Sequence, residues 1–323
     1  MRILVTGATG FLGGALTRRL LADRRDVIAL GRNTAKLTRL AAAGATPIAC
    51  DLSAAAQHQG LACDAVIHCA ALSAPWGARA DFHAANVVGT QSALAIARTA
   101  GANRFVHIST PSLYFRFKDQ LNVREDAPLP RPVNAYAHTK RQAEALVLAA
   151  SDLDPIILRP RGLYGPDDTT LLPRLLAAAE KRALPLMKGG RAATDLTFVD
   201  DGADAALAAL DAPSAALTQR IFNVSGGVAL NVRDVAERAA AHASQTLRWR
   251  ARPIWAVLAY ARTLEELTAS LPNRPEPAIT AYGAALFAYT QTLDVSAAKT
   301  QLGWCPRVSL DEGLARTFEK TRP

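Results

Sequence analysis

Cysteine is scarce, with Cys50, Cys63, Cys69 and Cys305 the only four in 323 residues, and they form no CxxC pair and no Cys/His ligand spacing. A disulfide framework or a zinc site is therefore not expected, and no other metal is implied; the thiols suit the reducing cytoplasm. The N-terminus, MRILVTG, has no succession of charged, apolar and small residues of the kind a secretory signal needs. Long apolar runs are missing as well. The longest stretch free of formal charge, Pro277 to Leu293, carries Thr, Gln, Tyr and Gly, which is not the continuous apolar segment a bilayer span requires. Peripheral membrane contact stays open. No fixed-period repeat or low-complexity tract interrupts the chain, although alanine is abundant.

Half of the residues are apolar and a fifth are charged, the balance of an ordinary globular protein, and the chain is long enough to bury a sizeable core. The formal net charge of +9 raises the question of nucleic acid. The basic residues are scattered, however, without the aromatic interleaving of single-strand binders, so anionic small molecules are the better match. One basic stretch is patterned: in LRWRAR, Arg248, Arg250 and Arg252 alternate and would share one face of a strand. That face is either solvated or a contact for an anionic substrate or lipid.

Through the first 160 residues short β-rich runs alternate with Ala/Leu-rich helical periodicity, the pattern that right-handed crossovers turn into a parallel sheet. Strands are expected at Arg2 to Thr6, Val27 to Leu30, Thr46 to Cys50, Ala65 to Cys69, Arg104 to Ser109 and Pro155 to Arg159. After Arg159 the rhythm changes, broken by Pro160, Gly162, Gly165, Pro166 and Pro173. A second lobe is expected to begin there, with a helix at 198 to 210 and a strand at 221 to 227 returning to the sheet. The division is 1–162, rejoined by 194–224, for a dinucleotide-binding domain, and 163–193 with 225–323 for a smaller lobe. An apolar helix, Ile254 to Leu267, belongs to that lobe.

Between the first expected strand and the first helix lies TGATGFLG, with Gly7, Gly10 and Gly13 in GxxGxxG spacing. A glycine turn in that position lets the backbone approach a pyrophosphate, whose charge meets the free amides and positive dipole end of a helix. The fingerprint identifies Gly7, Thr9, Gly10, Phe11, Leu12 and Gly13 as the cofactor cradle and the fold as α/β, a Rossmann-type doubly wound parallel sheet with a smaller α+β substrate-binding lobe. An acid at the end of the second strand would bind the ribose 2′-hydroxyl of NAD. No acid occurs between Asp26 and Asp51; Arg32 and Lys36 stand there instead. A guanidinium can grip a 2′-phosphate in a forked contact, so NADP(H) is the expected cofactor. Asp51 and Leu52 after the third strand, and Ala70 and Ala71 after the fourth, are candidates for the adenine side, and equally for ordinary strand-end turns.

Asn134-Ala-Tyr136-Ala-His-Thr-Lys140 opens an alanine-rich helix, which places Tyr136 and Lys140 one turn apart on one face. A phenol near its ordinary pKa of about 10 exchanges protons reluctantly, and a neighbouring ammonium lowers that value. Lys140 is expected to do this while holding the nicotinamide ribose. A hydroxyl from the cluster Ser109, Thr110 and Ser112, at the end of the fifth strand, would hold a carbonyl oxygen by a second hydrogen bond.

With these segments in place the chain resembles the extended short-chain dehydrogenase/reductases over nearly its whole length. The resemblance is carried by TGATGFLG, Asp51-Leu52, His68-Cys-Ala-Ala71, Asn86-Val-Val-Gly-Thr90, Tyr136-x-x-x-Lys140, Leu158-Arg-Pro160, Tyr164-Gly-Pro166, Phe198-Val-Asp-Asp201 and Asn223-Val-Ser. It implies Tyr136, Lys140 and Thr110 as the catalytic set, because the family's hydroxyl stands four residues before the tyrosine matched here by Tyr114. Ser109 and Ser112 remain alternatives to Thr110, and Ser109 and Pro160 join Tyr136 and Lys140 among the cofactor contacts. Asn86 is implied as structural, the Arg159-Pro160 turn as a border of the nicotinamide, and a homodimer as the assembly. STPS, LRPRGLYGP with LLPRLL, and AYTQTLDVSAAKTQLGW resemble the 3β-hydroxysteroid dehydrogenase-like branch, and within it the NADPH-using reductases of 2-alkyl-3-keto acids. The expected chemistry is ketone–alcohol interconversion on a bulky apolar small molecule. A nucleotide-sugar epimerase or dehydratase is the rival among enzymes, and a cofactor-binding sensor or scaffold the rival outside them.

Overall fold

A computed structural model describes residues 1–54 and 60–319. Its centre is a seven-stranded parallel sheet. Five strands come in succession, β1 (Arg2–Thr6), β2 (Asp26–Gly31), β3 (Thr46–Ala49), β4 (Ala65–His68) and β5 (Arg104–Ile108); Pro155–Pro160 and Ile221–Val224 complete it. The spatial order is Ile221–Val224, Pro155–Pro160, β5, β4, β1, β2, β3. The six expected strands are all present. Those expected to end at Cys50, Cys69 and Ser109 each stop one residue earlier, because there the chain leaves the ladder to form the loops of the cleft. The seventh strand is the returning segment, paired in parallel with Pro155–Pro160 through Phe222 beside Leu158.

Each strand buries both faces, as helix-covered parallel sheets require. Ile3 and Val5 face a core shared with Leu16, Val106 and Phe222, while Leu4 faces the opposite core with Ile28, Phe105 and Val147. The helix Val199–Asp211 packs on the first of these faces against α1 (Phe11–Ala22) through Ala203, Ala205, Ala206 and Ala209. The strand order reverses between β1 and its neighbours β2 and β4, so a crevice opens at the carboxyl ends of those strands, where open α/β sheets bind ligands.

The remaining chain forms a smaller lobe of short strands and helices. Leu230–Asn231, Ala193–Thr194, Gln291–Leu293 and Gln120–Val123 make a four-stranded sheet. Gln120–Val123 thus leaves the first 160 residues to pair with the lobe, while Val295, Ala298, Leu302 and Trp304 return from the lobe's side to the main core. A second core gathers Phe115, Met187, Val257, Leu258, Ala261, Ala281 and Ala284. The expected apolar helix spans Ile254–Ser270 and contributes Val257, Leu258 and Ala261 to that core, while Trp255, Tyr260 and Leu267 are exposed. Trp249–Ala251 is a short strand beside Leu184–Leu186, and Arg248, Arg250 and Arg252 are all exposed. Among the described residues no helix is long and apolar enough to cross a membrane.

Candidate active site

The glycine turn is shaped by close approach. Gly7 has φ +67°, and a Cβ there would sit 2.7 Å from the Ala70 amide nitrogen; a Cβ on Gly13 would sit 2.2 Å from the Gly7 carbonyl oxygen. The Gly10 amide donates to that same oxygen at 2.8 Å, and Gly10 caps α1 without any side-chain hydrogen bond. The amides of Phe11, Leu12 and Gly13 have no acceptor among the described residues, so the helix start presents free N–H groups and a positive dipole end. The cleft beyond has a volume of about 410 Å³ and is lined by Gly7, Thr9, Gly10, Arg32, Asp51, Leu52, Ala70 and Ala71.

Of the other proposed cofactor contacts, Phe11 and Leu12 turn their side chains into the apolar cluster around Tyr164 and Phe198, and Gly13 packs against Gly7. Lys36 donates to the Thr9 carbonyl at 3.1 Å. The Arg32 side chain is 75 % exposed and lies 3.7 Å from the Asp51 carboxylate. Asp51 accepts from the Ser53 amide and hydroxyl, and these bonds hold its carboxyl below the usual range. Pro160 borders the neighbouring substrate-side pocket. Free helix amides, a wall stripped of side chains and an exposed guanidinium fit a nicotinamide dinucleotide.

The reacting end is assembled by the helix Ala135–Ala149. Asn134 caps it, accepting from the Ala137 amide at 2.8 Å, which sets Tyr136 and Lys140 on its first turns. Burial pushes the Tyr136 phenol up to about 12, and the neighbouring Thr110 hydroxyl opposes the shift. Lys140 is 1 % exposed. Its ammonium does not turn toward the phenol; it donates to the Ile108 carbonyl at 2.7 Å and meets His107 Nε2 at 2.9 Å. The expected lowering of Tyr136 by Lys140 is therefore absent from the chain alone, because the buried ammonium is drawn to the polar atoms of β5. Burial brings Lys140 down to about 8, opposed by Glu144.

His107 and His68, whose rings stack at 5.3 Å, form a buried pair behind Lys140. Burial, together with the nearby Lys140 charge, lowers both. His68 is held between Thr6 Oγ1 at 2.7 Å and Thr90 Oγ1 at 3.1 Å. Asn86 ties the same region together, bridging the Leu72 backbone and Thr139 Oγ1. Ser109 Oγ is sealed from solvent without a partner, whereas Thr110 Oγ1 and Ser112 Oγ are 2.8 Å apart.

Arg159 does not border the cleft. Its guanidinium is buried in a two-pronged pair with Glu144, at 2.8 and 2.5 Å, and donates to the Tyr114 hydroxyl. Tyr114 in turn donates to Asn223 at 2.9 Å. The motif residues Tyr114, Arg159 and Asn223 thus lock β5, its neighbour Pro155–Pro160 and the returning strand together.

Thr110, Ser112 and Pro160 open onto a second pocket of about 470 Å³, walled by Leu171, Leu175, Ala178, Leu196, Val235, Ile279, Leu286 and Phe287. Arg161 and Tyr282 also line it. Neither was singled out by sequence reasoning: Arg161 lies in a turn between proline and glycine, and Tyr282 in the uncharged stretch after Pro277, with no spacing that ties either to the catalytic pair. The arginines 248, 250 and 252 are not among its lining residues. A larger hollow of about 890 Å³ lies beside the start of the helix Ala135–Ala149, lined by Arg79, His83, Arg131 and His138, and none of the proposed catalytic side chains reaches it.

Comparison with known proteins agrees with this geometry. The NAD dependent epimerase/dehydratase family matches residues 3–225. The 2-alkyl-3-oxoalkanoate reductase of Stenotrophomonas maltophilia is 34 % identical over 98 % of each chain. A 4-hydroxy-2-methyl-3-oxo-4-farnesyl-3,4-dihydroquinoline-1-oxide ketoreductase of Stigmatella aurantiaca is 33 % identical over 97 % of this chain and 95 % of that one. Among solved structures, UDP-glucuronic acid 4-epimerase from Bacillus cereus, in complex with NAD, superposes with a TM-score of 0.73 over 99 % and 98 % of the two chains at 24 % identity, a likeness of fold.

Proposed function

The chain belongs to the NAD dependent epimerase/dehydratase family, the extended short-chain dehydrogenase/reductases, and from that premise we propose that it is an NADP(H)-dependent reductase of ketones on bulky apolar substrates. The observation that carries the reading is the Tyr136–Thr110 hydroxyl pair beside a pocket with apolar walls, one helix turn from a buried lysine. Bound in the cleft, the dinucleotide would supply or accept the hydride. Tyr136 gives its proton to the developing alkoxide, and Thr110 orients the carbonyl oxygen by a second hydrogen bond. Lys140, held by His107 and the Ile108 carbonyl in the chain alone, would turn from them to the ribose and the phenol once the dinucleotide is bound. Arg32 supports NADP(H) over NAD(H), since its guanidinium lines the cleft with most of its surface free for a phosphate. The relatives named as ketoreductases support ketone reduction, and the 2-alkyl-3-oxoalkanoate reductases support a 3-oxo acid in particular. The functional unit in this reading is a cytoplasmic homodimer, which sedimentation would report.

The test is a panel of steroid ketones, long-chain 3-oxo acids and nucleotide sugars assayed with NADPH and NADH. Net oxidation of NADPH with a ketone supports the reading. Conversion of a sugar without net oxidation makes the protein an epimerase, and binding without any conversion makes it a sensor.

A further inference from the structure

Two residues apart on the chain, Arg159 and Arg161 are both buried and both ion-paired, yet only Arg159 is fully occupied. Arg161 donates from Nε to Thr194 Oγ1 at 3.1 Å and from Nη1 to Gln291. Its Nε lies 3.2 Å from Asp195 Oδ1, but out of line, so that oxygen has no hydrogen bond at all. Asp195 spends its other oxygen on the Ser225 hydroxyl and the Leu293 amide. Nη2 of Arg161 has no hydrogen bond within the described chain and is not sealed from solvent, on a side chain that is only 7 % exposed and lines the substrate-side pocket. A nine-tenths buried guanidinium with an unbonded donor, on a residue that lines a cavity, carries an uncommon desolvation cost.

Tyr282 stands next to it. Its phenol neighbours the Ser112 hydroxyl, feels the Arg161 charge, and lines the same pocket. Ser112 Oγ lies 2.8 Å from Thr110 Oγ1, and Thr110 neighbours Tyr136. A row of neighbouring hydroxyls therefore leads from Tyr136 through Thr110 and Ser112 to Tyr282. A substrate carrying oxygens on carbons 1 and 3 has two acceptors to set along that row. The other cations lining the pocket are taken up elsewhere: Arg174 pairs with Glu276, and Arg182 donates to the Ala278 carbonyl.

Building on the proposed ketone reduction, we infer that Tyr282 and Arg161 Nη2 form a carboxylate subsite, which selects 3-oxo acids by gripping the acid group while Tyr136 and Thr110 hold the ketone oxygen. Arg161 keeps its ion pair with Asp195, so what it offers the acid is the unbonded Nη2 donor, and the apolar walls take the chain beyond.

The test compares binding of a long-chain 2-alkyl-3-hydroxy acid with its methyl ester by calorimetry, with reduced cofactor present so that no turnover occurs. Wild-type protein should bind the acid roughly 10- to 100-fold tighter, the range of a charge-assisted hydrogen bond. Tyr282→Phe keeps the edge-to-face contact with Phe115, at 5.0 Å between ring centres, and should shrink that preference at least about fivefold. Equal wild-type binding of acid and ester would overturn the subsite, as would an unchanged preference in Tyr282→Phe. Steady-state rates with 3-oxo acid and ester add a second readout. Loss of Tyr282 should raise KM for the acid more than it lowers kcat; an equal fall in kcat for both substrates would place Tyr282 in the proton chain and refute selection. Because the calorimetry needs no reaction, a protein that reduces neither compound would defeat the ketone reading while leaving the subsite judged by binding.

Discussion

The cofactor-side cleft and the substrate-side pocket are made of different material. The cofactor side is backbone and absence: glycines at 7, 10 and 13, alanines at 70 and 71, and a helix start with unused amides. Its one cation among the described lining residues, Arg32, is exposed. The substrate side is built from side chains of Thr110, Ser112, Arg161, Thr194 and Tyr282, brought from four separate parts of the chain, and among these the one charge, Arg161, is buried. A turn that binds a phosphate backbone needs room, and room can be supplied by a few residues in a row. A pocket that selects one acyl substrate needs chemically different groups at fixed separations, and only a tertiary fold supplies those.

The largest expected effect lies at the proposed proton donor. Tyr136→Phe removes that phenol without touching the glycine turn, so turnover should fall by roughly 10²- to 10⁴-fold while cofactor affinity stays within about twofold. Fluorescence titration with NADPH alongside a rate assay checks both halves, and undiminished turnover would refute the mechanism.

Next in size comes the contrast between the arginines. Glu144→Gln leaves the Arg159 guanidinium buried without its two-pronged partner and should cost about 3–5 kcal/mol of stability. Asp195→Asn disturbs a pair that is already out of line and should cost less, on the order of 1–3 kcal/mol. Denaturant melts of the two variants decide it; equal losses would erase the distinction between a structural arginine and one free for a ligand.

A third test moves to the cofactor side. Arg32→Ala should lower kcat/KM for NADPH about 10- to 100-fold, leave NADH little changed, and shift stability by no more than about 0.5 kcal/mol because the side chain is exposed. A variant that still preferred NADPH by the same ratio would remove Arg32 from the choice of cofactor.

The smallest effect concerns the histidines behind Lys140. His68, lowered to about 3, and His107, also lowered, stay neutral in the fold, while in the unfolded chain they gain protons below about pH 6.5. The unfolded state then binds more protons, so their contribution is fully present above pH 6.5 and is lost as pH falls toward the folded values. Stability should drop by about 1.4 kcal/mol per pH unit for each histidine well below pH 6.5, and less where their titration begins. His68→Asn should reduce that slope; a melt series between pH 7 and pH 5 with identical slopes would contradict it. Lys140 acts in the opposite window: its value of about 8 lies below that of a free lysine, so burying the ammonium costs stability below pH 8, and the cost is relieved as pH rises toward 10.5.

Much of this was legible in the linear chain, and the reason is locality. β1, the glycine turn and α1 lie within 22 residues, and Asn134, Tyr136 and Lys140 within a turn and a half of one helix, so strand alternation, helix periodicity and cap chemistry were enough to place them. The absence of acids between Asp26 and Asp51 likewise singled out Arg32. What the tertiary structure alone decided depends on long-range contact. Of Ser109, Thr110 and Ser112, it is Thr110 that the fold sets beside Tyr136, 26 positions along the chain, which supports it as the proposed hydroxyl. Lys140 was turned toward His107 by an acceptor on another strand. Arg159 was assigned to the interior by Glu144 and Tyr114, while Arg161, two residues on, was left with a free nitrogen at the pocket. Neighbouring arginines in a sequence carry the same charge and the same reach. Which one is satisfied, and which one still has a hydrogen bond to give, is set by partners that the chain brings together only after it has folded.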